Sequence, residues 1–347
     1  MAERIALEEF LVRSGRIPMV DVRSPSEFAK GHMPGARNIP LFDDRERSVV
    51  GTAYKQVNRE AAIYAGLEFV GKKMTALVKA GERAAGPGRK LLVHCWRGGM
   101  RSESMAWLFE TLGLQCAVLE GGYKTYRRHI REQFARTREI RILGGRTGSG
   151  KTQILPLLRE SGQTVIDLED LANHKGSAFG ALGEEPQPTT EHFENLLGTA
   201  LSAVGEDSPL WLEDESRNIG RCVIPGEFYE QMKDAPVYFL DIPREARARY
   251  LVDDYATHDP DELKACVHRI QKRLGGDRTQ AALESIDRRD FLETARITLE
   301  YYDKAYLYSL EKNHRDPVRV PADTVNAREN AKRLMDTVSR HEAQGRH

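Results

Sequence analysis

The 347-residue sequence has few cysteines and no net charge. Its four cysteines lie far apart without a CxxC pair, which suits neither a zinc site nor a disulfide framework. We therefore expect a reducing, cytoplasmic location, in which any reactive cysteine acts alone. Because 52 basic residues balance 52 acidic residues, no overall field attracts a polyanion, and a nucleic acid would have to bind a local basic patch.

Long apolar runs are also missing. No stretch approaches the roughly 18 consecutive apolar residues that a transmembrane helix requires, and the first residues lack the pattern of a signal peptide. We therefore expect a soluble protein with no membrane partner. The apolar residues that are present, 40% of a chain about twice a typical domain in length, suffice for two separate cores.

Short apolar runs that alternate with helical stretches predict a mostly parallel sheet in each half of the chain. In the first half these runs are residues 19–22, 91–94 and 116–119. In the second half they are residues 140–143, 164–167, 210–213 and 236–241, with a weaker run at 318–320. Residues 243–314 carry no strand signal and predict a helical subregion, and residues 325–340 predict a closing helix. The sequence therefore predicts two α/β domains, residues 1–136 and 137–347.

One cysteine follows a predicted strand and opens a glycine-containing loop before a helical run, Cys95-Trp96-Arg97-Gly98-Gly99-Met100-Arg101-Ser102. Backbone N–H groups in such a turn at a helix N-terminus form an anion cradle. With Arg97 and Arg101 near, this position favours the thiolate. We therefore predict that Cys95 is a nucleophile assisted by the two arginines, although a buried structural cysteine is the alternative.

A second motif satisfies the pattern GxxxxGK[ST] between a predicted strand and a predicted helix, Gly145-Arg146-Thr147-Gly148-Ser149-Gly150-Lys151-Thr152. We predict that its backbone N–H groups wrap a phosphate chain, that Lys151 reaches the terminal groups and that Thr152 holds Mg²⁺. The candidates for a neighbouring acid of the Walker B type are Asp167, Glu213 and Asp214. The loop predicts a diphosphate but leaves ATP, GTP and a prenyl diphosphate open.

The first domain resembles the rhodanese family in four segments, residues 21–28, 31–40, the Cys95 loop and 119–123. The resemblance implies a cysteine that carries a persulfide or perselenide and passes the chalcogen on. This loop is one residue longer than in ordinary rhodaneses and matches related phosphatases. A phosphate-sized anion such as selenophosphate therefore fits it better than thiosulfate, and the loop alone leaves phosphatase chemistry open.

A rhodanese-like domain followed directly by a P-loop NTPase-like domain resembles the tRNA 2-selenouridine synthases over essentially the whole chain. Residues 167–177, 179–180 and 213–220 also match the pattern of that family. The resemblance implies that selenium replaces sulfur in the wobble 2-thiouridine of tRNA, with selenophosphate as donor and selenophosphate synthase as its supplier. It also implies an S-geranyl intermediate made from geranyl diphosphate. Alkylation fits this chemistry, because an alkylated sulfur departs as a thiol whereas a thiocarbonyl sulfur leaves poorly.

The most basic stretch of the chain, residues 124–141, is predicted to contact tRNA phosphates. The basic candidates are Arg127, Arg128 and Arg131, and the rings predicted to stack on an extruded base are Trp96, Tyr123 and Tyr126. A solvated helix between two domains explains the same stretch equally well. Further candidates for lining the site are His174, Lys175 and Arg217.

Two other functions remain open at the level of sequence. One is an ATP-dependent tRNA sulfurtransferase or kinase, in which Lys151 and Mg²⁺ activate a substrate by phosphorylation before Cys95 delivers sulfur. The other is a nucleotide-gated sensor whose cysteine is structural. Phosphorus transfer from ATP to tRNA would favour the first function, and an unreactive Cys95 would favour the second.

Overall fold

The computed structural model describes residues 2–205, 208–312 and 316–345. The ends of the two predicted domains, residues 1 and 346–347, and the end of the predicted helical subregion, residues 313 and 314, lie outside this part. The chain forms two compact units. The first comprises Met1–Gln133 and Glu194–Thr199, and the second comprises Phe134–Phe193 and Ala200–His347.

A five-stranded sheet forms the centre of the first unit. Its strands are β1 (Glu3–Ile5), β2 (Met19–Asp21), β3 (Arg37–Asn38), β4 (Lys90–His94) and β5 (Gln115–Leu119). They lie in the order β1-β5-β4-β2-β3, and every neighbouring pair is parallel. Strands β4 and β5 are buried in all but their first residue, as expected of a parallel sheet covered on both faces.

In the described part of the first unit, seven helices surround this sheet, and three of them begin at residues whose side chains accept a hydrogen bond from the first turn. They are α1 (Leu7–Ser14), α2 (Pro25–Lys30), α3 (Asp44–Gln56), α4 (Arg59–Gly71), α5 (Met74–Ala85), α6 (Met100–Glu110) and α7 (Gly122–Ala135), with a 3₁₀ turn at Gly86–Gly88. Ser24 and Glu27 form a capping box at the start of α2, where Pro25 occupies the first turn. Asp43 and Glu46 form a second capping box at α3.

The second unit contains another five-stranded parallel sheet. Its strands are β6 (Ile140–Gly145), β7 (Thr164–Val165), β8 (Leu210–Glu213), β11 (Val237–Asp241) and β12 (Val318–Pro321), and a separate antiparallel pair is formed by β9 (Asn218–Ile219) and β10 (Cys222–Val223). The sheet order is β12-β11-β6-β8-β7. The strand that leads into the phosphate loop, β6, is therefore central, and all six of its residues are buried.

The helices of the second half are α8 (Lys151–Glu160), α9 (Leu168–Ala172), α10 (Thr190–Ser202), α11 (Gly226–Asp234), α12 (Arg244–Ala256), α13 (Pro260–Leu274), α14 (Gly276–Asp287), α15 (Phe291–Lys312) and α16 (Ala327–Gly345). Helices α12–α15 form the predicted helical subregion around their own apolar cluster, which includes Leu251, Val267, Ile286 and Leu299. The middle of α10, Glu194–Thr199, belongs to the first unit.

The predicted α/β fold class is confirmed in both halves, because every predicted apolar run contains a strand of a parallel sheet. The sequence reading missed β1 and β3, which have three and two residues and carry too few apolar positions to register as strands. Among the described residues, no helix combines the length and the apolar character needed to cross a membrane.

Candidate active sites

The Cys95 loop joins the end of β4 to the start of α6 and is held by backbone hydrogen bonds to α7. The Tyr123 N–H donates to the Cys95 carbonyl at 2.8 Å, and the Lys124 N–H donates to the Trp96 carbonyl at 3.0 Å. Gly98 has a φ of +63°, and a Cβ at this residue would lie 2.2 Å from the Leu119 carbonyl oxygen. Only glycine therefore allows the loop to pack this closely.

The backbone N–H groups of residues 96–102 find no acceptor within the described part of the chain. Those of residues 100–102 belong to the first turn of α6, where a helix leaves its N–H groups unpaired. An anion at this loop would receive hydrogen bonds that the protein itself does not supply, together with the favourable end of the helix dipole. The loop can therefore hold an oxyanion.

The Cys95 side chain is buried, and its sulfur contacts a hydroxyl group. Sγ lies 3.2 Å from Ser102 Oγ and 4.0 Å from the Gly99 carbonyl oxygen. Ser102 Oγ can donate either to that carbonyl, at 3.0 Å, or to a thiolate. Sequence reasoning missed Ser102, although its place in the first turn of α6 brings its side chain back toward the loop.

The two arginines of the loop differ in their surroundings. Arg101 is half-buried and donates to Glu27 Oε2 at 2.7 Å, so its charge also holds the capping box of α2. Arg97 is exposed. Among the contacts of the described residues, neither guanidinium reaches Cys95 Sγ. Of the two arginines, Arg97 is therefore the more accessible to an incoming anion.

A buried polar cluster lies directly before the loop. The Arg23 guanidinium binds Asp21 through hydrogen bonds of 2.6 to 3.0 Å and lies 3.8 Å above the centroid of the Tyr123 ring. His94 Nε2 is 3.9 Å from Asp21 Oδ2. Burial lowers the pKa of His94, so its ring is neutral at pH 7. This paired cluster fixes the strand ends that carry the Cys95 loop.

Three of the residues predicted to contact RNA are buried in the first unit. The Tyr123 hydroxyl accepts a hydrogen bond from Asn195 Nδ2 at 2.7 Å, and the Tyr126 hydroxyl lies 2.8 Å from Thr199 Oγ1. Arg127 donates to Asn195 Oδ1 at 2.6 Å. The side chains of these three residues present no face to an RNA in this structure, and the stacking and phosphate contacts expected of them stay predictions.

The remaining RNA candidates are accessible. Trp96 is 36% exposed, with its ring centroid 5.7 Å from that of Tyr123. Lys124, Arg128 and Arg131 are all exposed, and their spacing of four and three residues places them on one face of α7. The basic stretch thus divides into an outward cationic face and a buried structural arginine.

The phosphate loop connects β6 to α8 and borders a cavity of about 560 Å³. Every predicted phosphate-binding residue except Arg146 lines this cavity. The N–H groups of residues 147, 148 and 150–152 find no acceptor among the described residues, and Lys151 Nζ donates to the Gly145 carbonyl at 3.0 Å. The Arg146 guanidinium instead lies 3.4 Å from Asp241 Oδ1. The loop can therefore bind a phosphate chain through its backbone and Lys151.

The three predicted acids occupy different positions. Asp167 caps α9 by accepting the Asp170 N–H at 2.8 Å. Glu213 is buried at the end of β8, where Oε1 accepts the Glu169 N–H at 2.7 Å and Oε2 has no partner among the described residues. Asp214 lines the cavity and accepts a hydrogen bond from the Tyr306 hydroxyl at 2.7 Å.

Three further acids that sequence reasoning did not select line the cavity, Glu169, Glu215 and Asp254. Thr152 Oγ1 lies 3.4 Å from Glu169 Oε2, so this carboxylate is the one nearest to the hydroxyl predicted to hold Mg²⁺. No local signal marks Glu169, which lies in the first turn of the short helix α9. Glu215 is the third acid of the run 213–215, which begins at the last residue of β8, and burial, followed by the charge of Glu169, raises its pKa well above the usual value.

The three further candidates for lining the site do not lie together. Lys175 lines the phosphate-loop cavity, and its Nζ lies 3.1 Å from Glu184 Oε1. His174 and Arg217 are not among the lining residues. Burial lowers the pKa of His174, and the Arg217 side chain is exposed.

Two family models match the chain. A rhodanese-like domain matches residues 6–129, and the AAA domain of tRNA 2-selenouridine synthase matches residues 138–341, which is more than half of the chain. The chain belongs to the tRNA 2-selenouridine synthase family. The resemblance stated from the sequence and the rhodanese-like and P-loop folds that it implied are confirmed.

Several curated relatives in the synthase family span most of the chain. The tRNA 2-selenouridine synthase of Marinobacter nauticus is 34% identical over 89% of this chain and 93% of the relative. That of Shewanella frigidimarina is 38% identical over 85% of this chain and 89% of the relative. That of Hydrogenovibrio crunogenus is 37% identical over 89% of this chain and 92% of the relative.

The other cysteines of this synthase-family chain are buried thiols outside the loop. Burial raises the pKa of Cys116 to about 12 and that of Cys222 to about 11, and it also raises the pKa of Cys266. All three thiols are therefore protonated at neutral pH, which suits a packing role.

Replacing Glu213 with glutamine is expected to stabilise the folded chain at alkaline pH. Burial, and then the charges of Asp167 and Glu169, raise the pKa of Glu213 well above its usual value of 4.5. The stability that Glu213 contributes is therefore complete below pH 4.5 and is lost as the pH rises through the raised pKa. Glutamine keeps an oxygen that can accept the Glu169 N–H, and its side chain does not ionise. Urea unfolding of both proteins at about pH 5 and about pH 8 measures the difference.

Glu329→Gln, on the exposed side of α16, is the matched control and should behave like the unsubstituted protein. If the unsubstituted protein and Glu213→Gln lose the same stability between the two pH values, the raised pKa of Glu213 is disproved.

Proposed function

We propose that this chain replaces sulfur by selenium in the wobble 2-thiouridine of tRNA. The observation that carries the proposal is the presence, in one chain of the synthase family, of Cys95 beside unpaired loop N–H groups and of a P-loop that borders a cavity. The two anion sites suit two anionic co-substrates, selenophosphate and geranyl diphosphate. Each site would serve one half of the reaction.

The P-loop site would catalyse S-geranylation. The thiocarbonyl sulfur forms a bond to C1 of geranyl diphosphate, the C1–O bond breaks, and its electron pair leaves with the diphosphate. The N3 proton of the base is lost to a general base or to water. Unpaired N–H groups of the loop and the Lys151 ammonium would stabilise the charge that grows on the leaving diphosphate.

The residues beside Thr152 fit a Mg²⁺ ion that arrives with the diphosphate. Thr152 Oγ1 and Glu169 Oε2 lie 3.4 Å apart and would be the protein oxygens that hold it, since Mg²⁺ at phosphate sites commonly uses one or two protein oxygens, substrate phosphates and waters. No group of three or more metal-binding side chains occurs in the described ranges. When bound, Mg²⁺ would neutralise part of the diphosphate charge.

The Cys95 loop would catalyse the selenium half. The selenium of selenophosphate forms a bond to C2 of the base, and geranyl thiol leaves with the selenophosphate proton. Water then splits the P–Se bond to give 2-selenouridine and phosphate. The loop N–H groups and Arg97 would hold the phosphate group, and the Cys95 thiol, beside Ser102 Oγ, would assist at the reacting centre.

Binding of tRNA would use the exposed cations of α7, Lys124, Arg128 and Arg131, for phosphate contacts. Trp96, which belongs to the Cys95 loop and keeps part of its ring exposed, would stack on the extruded wobble base. Selenophosphate synthase is the proposed source of the selenium donor. We also propose a cytoplasmic location and a functional division between residues 1–136 and 137–347, which the bounds of the two family models support.

The function is tested with the full-length protein and an anticodon stem-loop RNA that carries 2-thiouridine. Nucleoside mass spectrometry should detect S-geranyl-2-thiouridine with geranyl diphosphate alone, and 2-selenouridine when selenophosphate is added. Parallel reactions with added Mg²⁺ and with EDTA show whether geranyl transfer requires the metal. If radiolabelled ATP instead transfers phosphorus to the RNA while geranyl diphosphate is inert, the proposal is wrong and the kinase or sulfurtransferase alternative is favoured.

A further inference from the structure

One wall of the phosphate-loop cavity consists of aromatic and aliphatic side chains from the second unit. We call it the aromatic wall and define it by Phe179, Tyr250, Leu251, Tyr255 and Tyr302. Phe179 follows α9, the next three residues lie on α12, and Tyr302 lies on α15. Of the four acids that line the same cavity, Glu169 lies on α9, Asp214 and Glu215 follow β8, and Asp254 lies on α12 beside Tyr255.

The rings of the wall are packed against one another and anchored to the backbone. The Phe179 ring stacks on Tyr255 with centroids 5.2 Å apart and meets Tyr302 edge-on at 6.4 Å. The Tyr302 hydroxyl accepts a hydrogen bond from the Ala178 N–H at 3.1 Å. The wall is therefore a fixed apolar surface rather than a set of loose side chains.

The wall begins directly at the phosphate loop. A Cβ added at Gly148 would lie 3.1 Å from Leu251 Cδ1. On the same helix as Leu251, Arg247 donates to the Thr147 carbonyl at 3.0 Å and binds Asp303 through two bonds of 2.9 Å. The buried Arg247–Asp303 pair thus ties α12 and α15 to the loop that receives the diphosphate.

A ligand that fills this cavity must join a diphosphate to a group suited to aromatic and aliphatic contacts. The partly buried rings of Tyr250 and Tyr302 provide apolar faces at the cavity, and the buried rings of Phe179 and Tyr255 also line it, as an alkenyl chain requires. The volume of about 560 Å³ lies within the usual range for small-molecule sites.

We propose that the aromatic wall binds the isoprenoid chain of geranyl diphosphate and sets the chain length that the enzyme accepts. The inference rests on the proposed function and adds the residues that recognise the substrate. Phe179, in contact with two other rings of the wall, limits the depth available to the chain. Tyr302 contributes a ring face, so its contribution depends on the ring more than on the hydroxyl.

The first test compares three variants of the full-length protein in the geranylation assay. Tyr302→Ala should raise KM for geranyl diphosphate about tenfold, because an aromatic contact is lost. Tyr302→Phe retains the ring and should restore KM to within about twofold of the original value. The control Tyr308→Ala removes an exposed tyrosine of the same helix that does not line the cavity, and it should leave KM unchanged.

Inorganic diphosphate serves as a probe of the phosphate loop alone. Its inhibition constant should be the same in Tyr302→Ala and in the original protein, because the wall contacts the chain and not the phosphates. If Tyr302→Ala leaves KM for geranyl diphosphate unchanged, or weakens inhibition by diphosphate as much as binding of the prenyl substrate, the inference is overturned.

The second test concerns chain length. Phe179→Leu should shift the kcat/KM ratio toward farnesyl diphosphate over geranyl diphosphate by about fivefold or more, since a smaller side chain frees depth in the cavity. Phe179→Ala should shift it further, and thermal unfolding shows whether either variant remains folded. An unchanged ratio in a folded Phe179→Leu protein would overturn the inference. Absence of geranyl transfer in the unsubstituted protein would instead refute the proposed function.

Discussion

Replacing Lys151 with alanine is expected to reduce both geranyl transfer and selenium incorporation by roughly a thousandfold. The Lys151 ammonium lies at the phosphate loop, where its Nζ donates to the Gly145 carbonyl at 3.0 Å. A bound diphosphate would receive this charge as the C1–O bond breaks. Selenium incorporation falls as well, because the second step requires an alkylated sulfur. Single-turnover assays with 2-thiouridine RNA and nucleoside mass spectrometry measure both steps.

A bypass substrate distinguishes loss of the first step from general damage. With RNA that already carries S-geranyl-2-thiouridine, Lys151→Ala should incorporate selenium at nearly the original rate. Lys332→Ala, which removes an exposed lysine of α16, should leave both steps unchanged. Geranyl transfer by Lys151→Ala within tenfold of the original rate would contradict the assigned role of this lysine.

Replacing Cys95 with alanine should lower selenium incorporation by roughly a hundredfold or more while geranyl transfer stays within about twofold. The sulfur is buried beside Ser102 Oγ in a loop whose N–H groups are unpaired, so the substitution removes the thiol and leaves the anion cradle. The expected product is S-geranyl-2-thiouridine that accumulates in the presence of selenophosphate. Mass spectrometry of the RNA over a time course detects both nucleosides.

Cys116→Ala is the matched control for this variant. Cys116 is a buried cysteine of β5 whose thiol is protonated, because burial raises its pKa to about 12. Its removal should leave both nucleosides at their original levels. Formation of 2-selenouridine by Cys95→Ala at the original rate would show that the thiol takes no part in the selenium step.

The parts of the fold that could be predicted are those that local sequence determines. Apolar runs predicted the buried strands, and glycines with flanking motif residues predicted the two loops between strands and helices. Gly98 illustrates why this works, since its backbone conformation and its contact with Leu119 exclude any side chain. Because this requirement is met by one residue type, the glycine that meets it can be recognised in the sequence.

The parts that could not be predicted depend on partners far away in the chain. Tyr123 and Arg127 lie in a basic segment, but both are buried because Asn195, about seventy residues later, binds them. Glu169 reaches Thr152 although α8 follows β6 and α9 follows β7, two strands that β8 separates in the sheet. The aromatic wall likewise combines three separate segments, and no local pattern links them.

The discontinuity of the first unit has a genetic consequence. Because Glu194–Thr199 belongs to that unit, a gene fragment that ends at codon 136 omits the residue that accepts the Arg127 hydrogen bond and donates to Tyr123. Such a fragment exposes surface that Asn195 and its neighbours cover in the intact chain. A single recombination breakpoint near codon 136 therefore separates the first unit from six of its own residues. We expect the two halves of the gene to be inherited together.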